Sequence, residues 1–175
     1  MTRLPRIAAA IGAMVLLAGA VDMINVQQVG DALAAGSRAT DARSRAAAAE
    51  TLATLGAAPA EGQDDLAVAW HKGRKGVSRA AYRDRVLGPV YHGLTLDAGA
   101  AAHFEQAFYA GRTAHVAVVA VDRAPVVLQI FDDEGKARCV GSRTTCEWVP
   151  SWTARVRVEI QNRGDRRGKF FVVIQ

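Results

Sequence analysis

The chemistry of this chain is narrowed first by what it lacks. It has no Gly-x-Ser-x-Gly elbow, no His-Glu-x-x-His pair and no thiol set beside a histidine. The local signatures of serine hydrolases, zinc proteases and cysteine nucleophiles are therefore missing. The GxxxxGK[ST] spacing of a phosphate-binding loop is absent, and no segment repeats. Cysteine is scarce, with two in 175 residues and none near the N-terminus, which argues against a lipid-anchored bacterial lipoprotein. Net charge is also low. The formal value is +5, and it falls to +3 without residues 1–20, which hold Arg3 and Arg6 and no acid. A dedicated nucleic-acid binder carries a denser positive charge, so nucleic acid is not an expected partner.

What is present is globular: 50% hydrophobic and 22% charged residues. The length suits one domain with a proper core, or a small domain plus a helical extension. Arg3 and Arg6 precede an uncharged run from Ile7 to Val21, and Ala18-Gly19-Ala20 places small residues where a signal peptidase reads. That run is shorter than the roughly 18–20 residues that span a bilayer. Residues 1–20 are thus predicted to be a cleaved signal peptide, a retained membrane anchor being the alternative. Only retention would make the membrane a partner.

Residues 21–62 form an alanine-rich helical segment and linker. Asp31 to Leu55 favours helix, with a break expected at Gly36-Ser37. Its apolar positions are mostly alanines, so weak docking and partial mobility are expected. Pro59 lies in the linker. Residues 63–92 read as short helices around a basic loop, packed on the strand-rich C-terminal half of the chain. Asp64 to Trp70 is one helix, and Ser78 caps another running to Leu87. Lys72, Arg74, Lys75, Arg79, Arg83 and Arg85 lie in one span with a single acid, Asp84. They form a candidate patch for an anionic surface or partner, or an ordinary solvated face.

From Leu94 the period changes to two. Strands are predicted at His103–Tyr109, Thr113–Val121, Pro125–Phe131, Lys136–Val140, Cys146–Val149, Arg155–Gln161 and Lys169–Ile174. The Thr113 strand is apolar on both faces and should be central. In the Arg155 strand, Val156, Val158 and Ile160 face one way and Arg155, Arg157, Glu159 and Gln161 the other. Ala110-Gly111-Arg112 and Asp132-Asp133-Glu134-Gly135 read as hairpin turns. About seven short strands make residues 93–175 an antiparallel β-sandwich, so the chain is mainly β.

Phe108-Tyr109-Ala110-Gly111-Arg112, Leu128 to Gly135 and Cys146-Glu147-Trp148-Val149-Pro150 follow one another in a distinctive order. With Thr153 to Ile160 and Asn162-Arg163-Gly164, this order resembles the bacterial pre-peptidase C-terminal domain and its exported relatives, over roughly residues 88–175. The resemblance implies a jelly-roll-like sandwich of secreted or periplasmic proteins, often an accessory or binding module. Some relatives bind calcium. No protease domain accompanies the sandwich here, and the acids fall short of a full calcium set.

Cys139 and Cys146 lie seven positions apart on strands read as neighbours. Export and that spacing predict a disulfide across a hairpin, two free thiols being the alternative. Trp148, two residues on, is expected to pack beside it in the core. Asp122, Asp132, Asp133 and Glu134 could offer oxygens to calcium, but an acidic hairpin turn is the better account of them, and calcium is expected to contribute little. No cofactor is expected. His103 and Glu105 share a strand face, and His92 and His115 complete the histidines near the strands. If Gly111 were a hairpin turn, His115 would sit about 13 Å along the strand from His103, too far to share a metal. The reading is an exported, non-catalytic sandwich that binds an envelope protein, peptide or glycan. Its rival is a hydrolase-type enzyme whose residues, such as His103, Glu105 and His92, meet only in three dimensions.

Overall fold

The structure is a computed structural model that describes residues 16–71, 88–139 and 144–175, with side chains from residue 25. Three helices come first: α1 (Leu16–Arg38), α2 (Ala42–Thr54) and α3 (Leu66–His71). The two-residue strand β1 (Ala58–Pro59) lies between α2 and α3. Eight strands complete the chain: β2 (Val90–Leu96), β3 (Ala101–Phe108), β4 (Ala114–Ala120), β5 (Val126–Phe131), β6 (Ala137–Cys139), β7 (Thr145–Trp148), β8 (Ala154–Asn162) and β9 (Gly168–Ile174). Seven of these match the strands predicted from alternation. The eighth, β2, begins ahead of Leu94. Its residues Tyr91, His92 and Gly93 do not alternate, because Tyr91 is buried under helices outside the sandwich.

The strands form two packed sheets, ordered β1-β2-β9-β4-β7 and β3-β8-β5-β6. Their antiparallel pairs are nested: β2 with β9, β3 with β8, β4 with β7 and β5 with β6. That nesting is the connectivity of one long hairpin rolled around a core, as in a jelly roll. It corrects a sequence expectation. Among consecutive strands from β2 to β9, only β5 and β6 share a sheet. Asp132 to Gly135 is therefore a true hairpin turn, with Gly135 at φ 76°. Ala110-Gly111-Arg112 is not one; it carries the chain from one sheet to the other. Alternation reports which side chains are wet, and says nothing of which strand pairs with which.

The core lies between the sheets. Val116, Val118, Val172 and Ile174 meet Leu128, Ile130, Val158 and Ile160 there. Strands β4 and β9 are apolar on their other face too: Ala117, Phe171 and Val173 pack under Val26, Val29, Leu33 and Leu52 of the helices. The expectation of weak helix docking is thus overturned. The alanines bring the backbones close, and the few larger side chains supply the burial, each contributing about 1.5–3 kcal/mol. Gly36 does not break α1; its missing side chain is where the Trp70 ring rests, and the helix ends at Arg38. There the Arg38 guanidinium donates to the Val121 carbonyl at 2.6 Å. Asp41 restarts the chain as the cap of α2, accepting from the Ser44 N–H at 2.8 Å. Among the described residues no helix is long and apolar enough to cross a membrane.

A buried amide and a disulfide hold the crossings between sheets. The side-chain amide of Asn162, wholly buried, shares its two hydrogens among the carbonyls of Leu96, Asp97 and Arg166, and its oxygen accepts from the Gly164 N–H. Cys139 and Cys146 form the expected disulfide, with Cα atoms 6.1 Å apart. Its role differs from the one anticipated, because Cys139 ends β6 in one sheet and Cys146 lies in β7 of the other. The bond clamps the open edges of the two sheets together and does not set hairpin register. Trp148 packs against the core beside Phe108, their ring centres 4.7 Å apart and their planes inclined at 63°. Cys146→Ala is expected to cost about 2–4 kcal/mol in denaturant unfolding, from lost crosslink and packing. Most of that difference should vanish under reductant, when the wild type loses the bond as well.

Candidate functional site

The helices cover the outer face of one sheet; among the described residues nothing covers the outer face of β3-β8-β5-β6 or the loop end of the sandwich. On β3 the exposed residues are Ala101, His103, Glu105 and Ala107, and β8 adds Arg155 and Arg157. Arg155 lies 3.6 Å from the Glu105 carboxylate, and Arg157 lies 3.9 Å from Glu159. The Arg157 guanidinium also sits 5.0 Å above the centre of the Phe131 ring. Such exposed pairs add little to stability. What they do is hold two arginines in defined positions. Glu105, Phe131, Asp133, Arg155 and Arg157 line a shallow depression of about 470 Å³.

This depression lies at one end of the sheet, where loops 109–113, 132–136 and 149–153 gather. Tyr109, Val149 and Trp152 are exposed there, at 62%, 56% and 47%. Single exposed apolar side chains are ordinary, but three on two adjoining loops are not. The loops are tied together: Gly111 N–H donates to the Pro150 carbonyl at 2.9 Å, and Ala110 N–H to Thr153 Oγ at 3.1 Å. Beneath them the Phe108–Trp148 pair anchors both strands. Sequence reading missed this grouping because the loops are some forty residues apart. The available signal was Trp152, set in a turn between Ser151 and Thr153.

The candidate residues drawn from the sequence do not converge. His103 and Glu105 point outward from β3, whereas Phe104 between them turns inward and stacks on His92 at 4.2 Å. His92 thus lies on the opposite side of the strand from the other two. His115 is wholly buried on β4, its Nδ1 3.8 Å from Glu147 of β7. The separation expected of a hairpin at Gly111, with His115 opposite Ala107, does not apply, since β3 and β4 lie in different sheets. Asp132 is committed within its own turn: it accepts from the Lys136 N–H at 2.6 Å and pairs with Arg138 at 2.9 Å. Asp122 lies at the other end of β5, about 17–20 Å away, paired with Arg166. Asp133 and Glu134 are exposed. Among the described residues no three His, Cys, Asp or Glu side chains gather as a metal site would require. Lys72, Arg74, Lys75, Arg79, Arg83 and Arg85 lie outside the described residues, as does the helix expected after Ser78.

No family model matches the chain, and no curated protein does. Solved structures to which it is similar include the pre-peptidase C-terminal domain of a collagenase from Bacillus anthracis, at 8% identity and TM-score 0.41, over 49% of this chain and 87% of that one. PliG of Aeromonas hydrophila, a periplasmic inhibitor of g-type lysozyme, is another, at 12% identity and TM-score 0.40, over 50% and 86%. PirA is a third, at 17% identity and TM-score 0.32, over 49% and 93%. These likenesses concern the fold of about half the chain. A pre-peptidase C-terminal domain, which the sequence motifs resemble, is thus among the structures similar to it.

The position of His92 makes the fold sensitive to acid. Burial beside Phe104 holds its imidazole below the ordinary value of 6.5, so the unfolded chain takes up the proton first. This contribution to stability is full above about pH 6.5 and is lost as pH falls toward the folded-state value. The melting temperature should therefore drop between about pH 7.5 and 5. His92→Phe, which keeps a ring against Phe104, should flatten that part of the slope; an unchanged slope would assign the acid sensitivity to another group.

Proposed function

We propose that this is an exported, non-catalytic β-sandwich module of the periplasm or secreted fraction, which binds an envelope protein or peptide through the loop end of its open sheet. The observation that carries the reading is the exposure of Tyr109, Val149 and Trp152 on two hydrogen-bonded loops, next to Arg155 and Arg157. Aromatic residues and arginine are enriched at protein interfaces and dominate their energetics. Loops already tied together lose little freedom on binding, which favours affinity. The signal-like N-terminus and the Cys139–Cys146 disulfide support an oxidising compartment.

A photo-crosslinking amino acid at position 109 or 152, introduced in producing cells, tests this directly. Both positions should yield the same discrete crosslinked species. The same probe at Val68, exposed on α3, should not. With that partner purified, Trp152→Ala should weaken binding by at least about tenfold, as loss of an interface anchor does, with the melting temperature unchanged. Crosslinks that are equal at all three positions, or absent at the tip, would contradict the proposal.

A further inference from the structure

Strand β3 is the edge of its sheet, and among the described residues nothing pairs with its outer side. The direction of its backbone groups is fixed by one bond. The Asn162 N–H donates to the Ala100 carbonyl, one step beyond the Ala101–Gln161 pair. Antiparallel bonding alternates, so Ala102, Phe104, Gln106 and Phe108 bond to β8, while Ala101, His103, Glu105 and Ala107 turn their N–H and C=O groups away. Consistent with this, the Ala107 carbonyl accepts from the Gln106 side chain at 3.1 Å, and its second lone pair stays available. All four outward residues are exposed. An eight-residue edge without proline or bulge invites another strand.

We propose that the strand it accepts is β3 of a second copy, antiparallel across a two-fold axis at Phe104. In that register Ala101 faces Ala107 of the second copy, and His103 faces Glu105 of the second copy, each pairing occurring twice. The register is selected by charge and by overlap. Moving the axis to His103 sets His103 against itself, and moving it to Glu105 sets two carboxylates together. Each shift also leaves one of the outward residues Ala101 and Ala107 without an opposite number in the strand, and a one-residue slip would oppose groups already bonded to β8. The small side chains of Ala101 and Ala107 let the second backbone approach. The joined sheet has eight strands, and because β3 runs antiparallel to its copy, the loop ends carrying Tyr109 and Trp152 point in opposite directions and stay free. With backbone pairing along one edge as its main contact, the dimer is weak and concentration-dependent.

Sedimentation of the intact mature chain over a concentration series tests the proposal. The wild type should pass from monomer to dimer as concentration rises. His103→Glu, which opposes like charges twice, should weaken association by at least about tenfold with melting temperature unchanged, because His103 is exposed. Adding Glu105→Lys to that variant restores opposite charges in the same register and should recover the dimer. A wild type that stays monomeric throughout overturns the proposal, as does a dimer indifferent to His103→Glu. A double variant that stays monomeric overturns the register. Loop-end crosslinking should be the same in the wild type and in His103→Glu, which leaves the Glu105–Arg155 pair intact, so this proposal and the binding proposal fail separately.

Discussion

Strands β4 and β9 must be covered on both faces, and the rest of the molecule is arranged to meet that demand. On one side Val116, Val118, Val172 and Ile174 close the sandwich; on the other Ala117, Phe171 and Val173 would face water without the helices. The alanine-rich N-terminal segment is therefore part of the fold. Its small residues allow close approach, and Val26, Val29 and Leu33 fill the space between. The consequence for function is spatial: one sheet is spent on the helical layer, and the other is left facing outward.

Among the described residues, the face left open is the one the proposed binding uses. The outward sheet carries paired charges whose arginines are held by carboxylates and by the Phe131 ring. Its loop end carries apolar side chains on a base braced by Phe108 and Trp148. The titratable groups that could support catalysis are spread over different faces: His92 inward, His103 outward, His115 under the helical side of its sheet. The disulfide and Asn162 keep the two sheets from sliding.

The strands were legible in the sequence because half-buried strands alternate, and β4 revealed its central place by being apolar throughout. Their partners were not legible. A tight turn looks the same whether it closes a hairpin or crosses between sheets, so the Gly111 turn and the Cys139–Cys146 link read as local features when they join opposite sheets. Strand β2 escapes notice because Tyr91 serves a second core and Gly93 offers no side chain. The docking of α1 is hidden because alanine signals helix propensity and only the surrounding Val and Leu signal burial. Of the candidate site, Arg155, Arg157 and Glu105 could be placed on a wet face in advance. Tyr109 and Trp152 could not be brought together without the nested pairing that aligns their loops.

Hydrogen exchange followed residue by residue tests most directly whether the helical layer and the sandwich are one cooperative unit. The account predicts that amides of α1 between Val26 and Leu33 exchange as slowly as those of β4 and β9, since each buries the other. Rapid exchange in α1 alongside slow exchange in β4 and β9 would contradict it, and would leave the outer face of that sheet open after all.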